Sequence, residues 1–298
     1  MKKIINMMFF LVALLTTNIV ASEKAQQHIE SLSEQKNIEM FLKKTFRKSP
    51  VSLLGFSVLA KNKVPSTKWT EYLTVIKVKP NKVNKEGSFT GDDLEPIEVA
   101  QILFSDGFFI TGDIYDPNED KFLSEIYKPI PGAETAIERR LIYGDINSSN
   151  QILIYADPLC KFCREEIPTL LKLMRDEKVN NFSVFLVNLP LKRIHPASTT
   201  LVKIITLELL RNNPDIVYDI YRLKINSKLH EEKVIVDIVN KQLNKKYTIE
   251  ELNNKKVLDT IEEDRKNATS FMVNSTPSIF LNGVLTKDII GKIEESLF

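Results

Sequence analysis

The stretch D-P-L-C-K-F-C, Asp157 to Cys163, contains both cysteines of this 298-residue chain and decides how the second half of the sequence folds. Directly before it, the apolar run from Gln151 to Ala156 predicts a buried strand. Directly after it, the apolar period predicts a helix. The C-x-x-C pair therefore stands between a strand and a helix. This placement puts Cys160 at the N-terminus of the helix and Cys163 one turn later.

A C-x-x-C pair has three chemical interpretations: a zinc half-site, a structural disulfide or a redox centre. Structural zinc needs about four ligands, and this chain has no second C-x-x-C and three scattered histidines. A disulfide that encloses so few residues constrains the unfolded chain very little, and a chain of this length does not need it for stability. Redox chemistry is therefore the strongest interpretation. No metal is expected, and no cofactor beyond a redox-active disulfide between Cys160 and Cys163.

The predicted position of Cys160 explains how such a pair could react. The free amides and the dipole of a helix N-terminus stabilise a thiolate, and Lys161 adds a cation beside it. We expect Cys160 to be exposed and nucleophilic, and Cys163 to be the inward-facing thiol that closes the disulfide. Asp157, three residues before Cys160, is predicted to be a structural loop residue. The three histidines have no partner in the sequence, so we assign them no catalytic role.

The N-terminal residues have the pattern of a signal peptide. Two lysines precede an almost unbroken apolar run from Ile4 to Leu15, and Val20-Ala21-Ser22 forms a cleavage motif. The run is short for a bilayer span, which needs about 20 residues. Residues 1–22 are therefore predicted to be cleaved on export. Without them the chain has 39 basic and 39 acidic residues, which gives no electrostatic case for binding nucleic acid.

The sequence from residue 23 to residue 118 predicts an α+β domain. Residues 23–48 have a charged, amphipathic pattern, with Ile38, Leu42 and Phe46 on one helical face. Strand-like runs follow, with a polar segment over 83–96 that reads as a loop or an exposed hairpin. Ser105-Asp106-Gly107 predicts a hairpin turn between the last two runs. The predicted strands are 51–59, 72–78, 97–104 and 108–114.

The pattern changes after residues 119–138, which are predicted to be a partly helical linker. The segment from 140 to 187 reads as two strands, a helix that contains Pro168, and a third strand. Residues 195–272 are almost entirely helical by period. A hairpin around Asn282-Gly283 and a closing helix end the chain. The predicted breaks in the helical segment lie at Pro214, near Asn226 and near Lys246.

Two stretches of the second half resemble a known fold. The strand, A-D-P-L-C-K-F-C at 156–163, the helix, and S-T-P-S-I-F-L-N-G at 275–283 together resemble a thioredoxin fold. More specifically, the D-P-x-C-x-[YF]-C pattern is similar to the active-site stretch of the periplasmic disulfide isomerases DsbC and DsbG. K-W-T-E-Y-L at 68–73 and the hairpin at 102–116 resemble the small sheet of that family. The resemblance covers nearly the whole mature chain.

The resemblance implies a cystatin-like α+β dimerisation domain over 23–118, and a thioredoxin-like α/β domain over 139–298 with a helical insertion at about 195–272. It implies a periplasmic, homodimeric disulfide isomerase or reductase that acts on misfolded or misoxidised exported proteins. A membrane electron donor of the DsbD type would keep its thiols reduced. The implied active-site loops contain Lys161, Phe162, Thr276 and Pro277, with a cis bond before Pro277 that faces the cysteines.

Two positions depart from the pattern of the family. Lys161 replaces the Gly or Pro that usually follows the first cysteine, so the redox potential is not assigned. Ile154 stands six residues before Cys160, where many thioredoxins carry a buried acid, so no proton acceptor is named. Two alternatives also stay open at this stage. The chain could be a DsbA-like dithiol oxidase that introduces disulfides, or a chaperone with dispensable thiols.

Overall fold

The computed structural model describes residues 33–47, 49–80, 82–83, 89–90, 95–132, 135 and 137–296. The predicted signal peptide, residues 1–22, and the start of the predicted amphipathic helix lie outside these residues. The chain divides into two compact units, residues 1–127 and 128–298. The division falls inside the segment 119–138 that was predicted to be the linker. Among the described residues, no helix combines the length and the apolar character that a membrane span needs.

The first unit contains helix α1, which covers residues 33–46 of the described chain, and an antiparallel sheet. Its further elements are β1 (Val51–Lys63), β2 (Thr70–Pro80), β3 (Lys82–Val83), β4 (Phe89–Thr90), β5 (Ile97–Ser105), β6 (Ile110–Thr111), β7 (Tyr115–Asp116), β8 (Lys121–Phe122) and the short helix α2 (Leu123–Ile126). The main sheet has the order β1-β2-β5-β6. Two small hairpins, β3-β4 and β7-β8, accompany it.

The predicted apolar face of α1 is the face that the structure buries. Ile38 and Leu42 are buried against Tyr72 of β2 and Leu103 of β5, and Phe46 packs on the same cluster. These three helical residues recur at i+4 spacing, so they lie above one another on one side of the helix. The prediction of an amphipathic helix is therefore confirmed for the described residues.

The predicted strand over 108–114 is wrong for most of its length. Only the two residues of β6 pair with β5. The carboxylate of Asp106 accepts hydrogen bonds from the amides of Phe108 at 3.0 Å and Phe109 at 2.8 Å. An acidic side chain in a turn competes in this way for the donors that a strand ladder would use. The turn therefore extends further than predicted, and Phe108 and Phe109 are left 89% and 70% exposed.

The second unit is built from strands and helices in the predicted order. After a single turn of 3-10 helix at Glu138–Arg140, its elements are β9 (Leu141–Tyr143), β10 (Asn150–Ala156), α3 (Lys161–Asp176), β11 (Phe182–Asn188), α4 (Ser198–Leu209), α5 (Asp215–Arg222), α6 (Glu232–Leu243), α7 (Ile249–Leu252), α8 (Lys255–Ser270), β12 (Ser278–Leu281), β13 (Val284–Thr286) and α9 (Ile289–Ser296). Helices α4 to α8 lie within the segment predicted as a helical insertion. The predicted break at Pro214 is confirmed, because this residue caps the start of α5.

The sheet of the second unit has five strands in the order β13-β12-β10-β11-β9. Its central strands β10 and β11 are parallel, and every other pair is antiparallel. Alternation along β10 places Ile152 and Ile154 in one apolar cluster and Leu153 and Tyr155 in another. A sheet that is apolar on both faces must be covered on both faces, and helices supply that cover.

A buried ion pair joins α8 to the start of β9 and the end of β11. Arg140 Nε donates to Asp264 Oδ1 at 2.8 Å, and the two side chains are 5% and 2% exposed. The other oxygen of Asp264 accepts from the amide and the side chain of Asn188, at 3.0 and 3.2 Å. Burial raises the pKa of the Asp264 carboxyl, and Arg140 and Asn188 offset part of that rise. The cluster fixes the last helix of the insertion to the sheet.

Candidate active site

The two cysteines lie where the parallel strand β10 ends and α3 begins. Cys160 is the N-cap residue of α3 and Cys163 lies in its first turn, as predicted. Both are free thiols, and Cys163 is fully buried. Cys160 was predicted to be exposed, and this is wrong, because only 8% of the residue is exposed. Its thiol donates to the carbonyl oxygen of Thr276 at 3.3 Å, so the loop before β12 covers it.

The loop before β12 forms the second part of the site. The peptide bond between Thr276 and Pro277 is cis, as the resemblance implies. Burial raises the pKa of the Cys163 thiol, while the neighbouring backbone of Asp157 and the Thr276 hydroxyl favour its ionised form to a smaller extent. The Thr276 hydroxyl is itself buried and makes no hydrogen bond of standard geometry. Cys163 is therefore protonated at neutral pH and shielded from water.

Asp157 is the polar centre next to the cysteines. It is fully buried, and its Oδ1 accepts from the amides of Leu159 at 2.6 Å and Cys160 at 3.0 Å and from the hydroxyl of Ser198 at 2.7 Å. Its Oδ2 accepts from the amide of Leu191 at 2.6 Å. The donors come from the residues just before α3, from the segment after β11 and from the first turn of α4. The predicted structural role of Asp157 is confirmed by these contacts.

His195 adjoins this cluster and was not assigned a role from the sequence. Its Nδ1 lies 3.3 Å from Asp157 Oδ1, close enough for an ion pair when the imidazole is protonated, although the contact lacks the geometry of a hydrogen bond. The two residues belong to separate segments of the chain. No spacing rule connects them, so only the folded structure reveals the contact.

Tyr221 of α5 is a second residue that the sequence did not indicate. Its side chain is 1% exposed, and its hydroxyl has no hydrogen-bond partner in the described part of the chain. Burial raises the pKa of its phenol, and the nearby Cys163, Asp157 and Cys160 add to that rise. The helix that carries Tyr221 is distant from the cysteines in sequence, and its apolar period alone predicts only a core position.

The structure brings the predicted site residues together around the first turn of α3. Cys160, Cys163 and Thr276 interact with one another, and Pro277 follows on the same loop. Lys161 and Phe162 lie on the exposed side of that turn, where Phe162 is 64% exposed. Two thiols one helical turn apart have the spacing that a C-x-x-C disulfide requires. Over the described ranges, no group of three or more His, Cys, Asp or Glu gathers in a way that could hold a metal ion.

Comparison with known proteins identifies relatives of the second unit. A family described as Thioredoxin matches residues 136–291, just over half of the chain. No curated protein sequence matches the chain.

Among solved structures, ScsC of Proteus mirabilis in a transitional conformation is 14% identical, with a TM-score of 0.42 over 55% of this chain and 75% of that chain. BdbD of Bacillus subtilis in its oxidised form is 16% identical, with a TM-score of 0.41 over 57% of this chain and 95% of that one. The thiol-disulfide exchange protein alpha-DsbA2 of Wolbachia pipientis is 17% identical, with a TM-score of 0.39 over 52% and 83%.

Proposed function

The chain belongs to the thioredoxin family, and from that premise we propose that it is a thiol–disulfide oxidoreductase of the isomerase type, similar to DsbC and DsbG. The observation that carries the proposal is the pair of free thiols in the first turn of α3. Cys160 stands at the N-cap of this helix. Cys163 is buried one turn away, where it can close a disulfide with Cys160.

The reaction begins when the Cys160 thiolate attacks one sulfur of a client disulfide. A bond forms between Cys160 and that sulfur, the client S–S bond breaks, and the second client sulfur leaves as a thiolate. In isomerisation, another client thiolate attacks the client sulfur of this mixed disulfide and expels Cys160 as a thiolate. One client disulfide is exchanged for another, so no electrons are transferred overall.

Reduction is the competing outcome. Cys163 loses its proton and attacks the Cys160 sulfur, the client leaves as a dithiol, and the protein is left with a Cys160–Cys163 disulfide. A membrane electron donor of the DsbD type would then return two electrons and two protons. Burial raises the pKa of the Cys163 thiol, so this residue is a weak nucleophile at neutral pH. The mixed disulfide therefore lasts longer, which favours isomerisation.

The loop at Thr276 and Pro277 is proposed to hold the client. The Thr276 carbonyl oxygen lies 3.3 Å from the Cys160 sulfur. A backbone segment so close to the nucleophile can pair with an extended client chain, which is a form of strand addition. Lys161 and Phe162 border the same site on the exposed side of α3. These four residues with the two cysteines make up the proposed active site.

We also propose that the first unit makes the protein a homodimer, in the manner of a cystatin-like dimerisation domain. Strand β1 is 13 residues long and lies at an edge of the described four-stranded sheet. Leu54 and Leu59 on this strand are 51% and 48% exposed. A long edge strand with exposed apolar side chains readily pairs with another chain. Export to the periplasm, directed by residues 1–22, would place the dimer among misoxidised secreted proteins.

Refolding of scrambled ribonuclease tests the proposal. The wild-type protein should speed the recovery of ribonuclease activity, and Cys160→Ala should abolish that gain. Cys163→Ala should keep part of it, because isomerisation needs Cys160 alone. An equal gain from the Cys160→Ala variant would contradict the proposal.

The same assay separates the alternatives. A DsbA-like oxidase would instead speed the oxidation of fully reduced ribonuclease. A chaperone with dispensable thiols would suppress aggregation equally well in the double variant that lacks both cysteines.

A further inference from the structure

A pocket of about 490 Å³ opens beside Cys160, between the first turns of α3 and the end of α5. Two of the residues that line the pocket, Leu159 and Lys161, are the chain neighbours of Cys160. A group held in this pocket therefore lies beside the chain segment that carries Cys160. The lining residues are Leu159, Lys161, Arg164, Glu165, Tyr221 and Arg222.

Three of these side chains, Lys161, Arg164 and Arg222, are cations. Arg164 donates to the carbonyl oxygen of Leu223, and the guanidinium of Arg222 lies 5.2 Å from the centre of the Tyr218 ring. Within the described ranges, neither arginine forms an ion pair with a carboxylate, and neither does Lys161. The three cations outnumber the one acid of the lining, Glu165. By contrast, several other arginines of the second unit do pair with acids, namely Arg139, Arg140, Arg175, Arg211 and Arg265.

One further feature favours an anion at this place. Tyr221 is one of the lining residues, and its buried hydroxyl is a donor with no partner among the described residues. A buried donor without a partner is unfavourable, and a ligand oxygen would satisfy it.

We propose that this pocket is a subsite for an acidic segment of the client polypeptide, next to the cysteine that Cys160 attacks. The inference rests on the proposed function and names the class of client that the site prefers. Client carboxylates would pair with Lys161, Arg164 and Arg222, and the arginines can bind them in a bidentate manner. Once the mixed disulfide has formed, the client is tethered to Cys160. The residues that flank the client cysteine therefore have a high effective concentration at the pocket.

Stopped-flow kinetics with three peptides test the proposal. Each peptide carries one cysteine activated by thionitrobenzoate, and the residues that flank the cysteine are Glu, Gln or Lys in otherwise identical sequences. Attack by Cys160 of the reduced full-length protein releases the coloured thiol. We expect the Glu peptide to react about five- to tenfold faster than the Gln peptide at low salt, and the Lys peptide to be slowest. The preference should shrink as salt is added.

Two substitutions assign the preference to the pocket. Arg222→Gln should at least halve the ratio of the Glu rate to the Gln rate, and Arg222→Lys should keep most of the ratio. Lys172→Gln is the matched control, because Lys172 lies on α3 outside the pocket lining, is 68% exposed and pairs with Asp176. This control should leave the ratio unchanged.

Each contrary outcome has a distinct meaning. Equal rates for the Glu and Gln peptides in the wild-type protein would overturn the subsite and leave thiol exchange intact. Release of no coloured thiol from any peptide would overturn the proposed function instead. The rate of reaction with oxidised glutathione could depend on Arg222 and on salt while the peptides show no preference. That result would show that the pocket binds a small anion and that the polypeptide assignment is wrong.

Discussion

The carboxylate of Asp157 is buried next to two thiols, and both of its oxygens are satisfied by hydrogen bonds. Burying a charge is tolerated only when donors replace the lost water. Here the donors are the amides of Leu159, Cys160 and Leu191 and the hydroxyl of Ser198. Asp157 thereby orients the backbone of Cys160, and its own burial depends on that same backbone.

Replacing Asp157 should therefore cost far more stability than removing one of its donors. Asp157→Ala leaves several buried donors without an acceptor, and we expect it to lower the free energy of unfolding by about 3 kcal/mol. Ser198→Ala removes a single hydrogen bond and should cost about 1 kcal/mol. Urea unfolding followed by circular dichroism measures both. Equal effects of the two variants would show that Asp157 does not hold the loop.

The buried thiol of Cys163 should make the reduced protein less stable at high pH. Burial raises the pKa of Cys163 from its ordinary value of 9.0, so above that pH the unfolded chain releases this proton while the folded chain keeps it. The stability that the neutral thiol contributes is complete below pH 9.0 and is lost as the pH rises further. Each pH unit should cost up to about 1.4 kcal/mol relative to Cys163→Ala. Urea unfolding of both proteins in reductant, from pH 8 to 10, measures the difference, and a constant difference would contradict the burial argument.

At the scale of elements, two neighbouring ion pairs on α8 provide a natural comparison. Arg140 and Asp264 form a buried pair, whereas the adjacent Arg139 and Glu263 form a pair in which Glu263 is 56% exposed. Breaking a buried pair leaves a charge without water or partner, while breaking an exposed pair only returns two charges to solvent. The same helix therefore carries one ion pair that fixes it to the sheet and one that contributes little to the free energy of unfolding.

Asp264→Ala should destabilise the second unit by about 3–5 kcal/mol, because Arg140 would remain buried without its partner. Glu263→Ala should change the free energy of unfolding by less than about 1 kcal/mol. Both variants are compared with the wild type in urea. A cost for Glu263→Ala as large as that for Asp264→Ala would refute the assignment of α8 docking to the buried pair.

The elements that the sequence predicts best are those with a clear apolar period. The amphipathic face of α1, the strand β10 and the helix α3 all appear where the spacing of apolar residues places them. The predicted strand over 108–114 is wrong for a local reason. The Asp106 side chain accepts hydrogen bonds from two amides that a strand would use, and the pattern of apolar residues does not reveal that competition. Period alone also gives no reason for Tyr221 of α5 to lie beside the cysteines.

The sequence predicted those parts of the site that depend on local chain geometry. The C-x-x-C spacing places Cys160 at a helix N-terminus and turns Cys163 inward, and both positions are observed. The contact between Asp157 and His195 joins distant segments, so no rule of spacing predicts it. The cover of Cys160 by the Thr276 carbonyl likewise depends on tertiary folding. The resemblance therefore placed Thr276 and Pro277 opposite the cysteines, whereas the contacts of His195 and Tyr221 with this site appear only in the folded structure.

At the scale of the whole molecule, the proposed dimer gives the two units different tasks. The second unit holds the thiols, and the first unit offers the long edge strand β1. An isomerase that must engage a partly unfolded client would depend on both, whereas a monomeric oxidase would need only the second. Oligomeric state and isomerase activity should therefore change together.

Lysine substitutions on β1 should separate the subunits. The double variant Leu54→Lys and Leu59→Lys places charges on the exposed edge strand, and light scattering should report half the mass of the wild type. Its activity on scrambled ribonuclease should fall, while the alkylation rate of Cys160 should stay the same. Leu258→Lys on α8, where the leucine is 41% exposed, is the control and should remain dimeric and active. A wild-type protein that is already monomeric would rule out the dimer.

The redox state of the thiols in cells tests the central claim most directly. Cells are acidified rapidly, and free thiols are then alkylated with a reagent that adds mass, so reduced and oxidised forms separate on a gel. An isomerase of the proposed type requires a free thiolate at Cys160, so we predict that Cys160 and Cys163 are mostly reduced, and that they become oxidised when the membrane electron donor is removed. A pair that is mostly oxidised in growing cells would contradict the isomerase and indicate a dithiol oxidase.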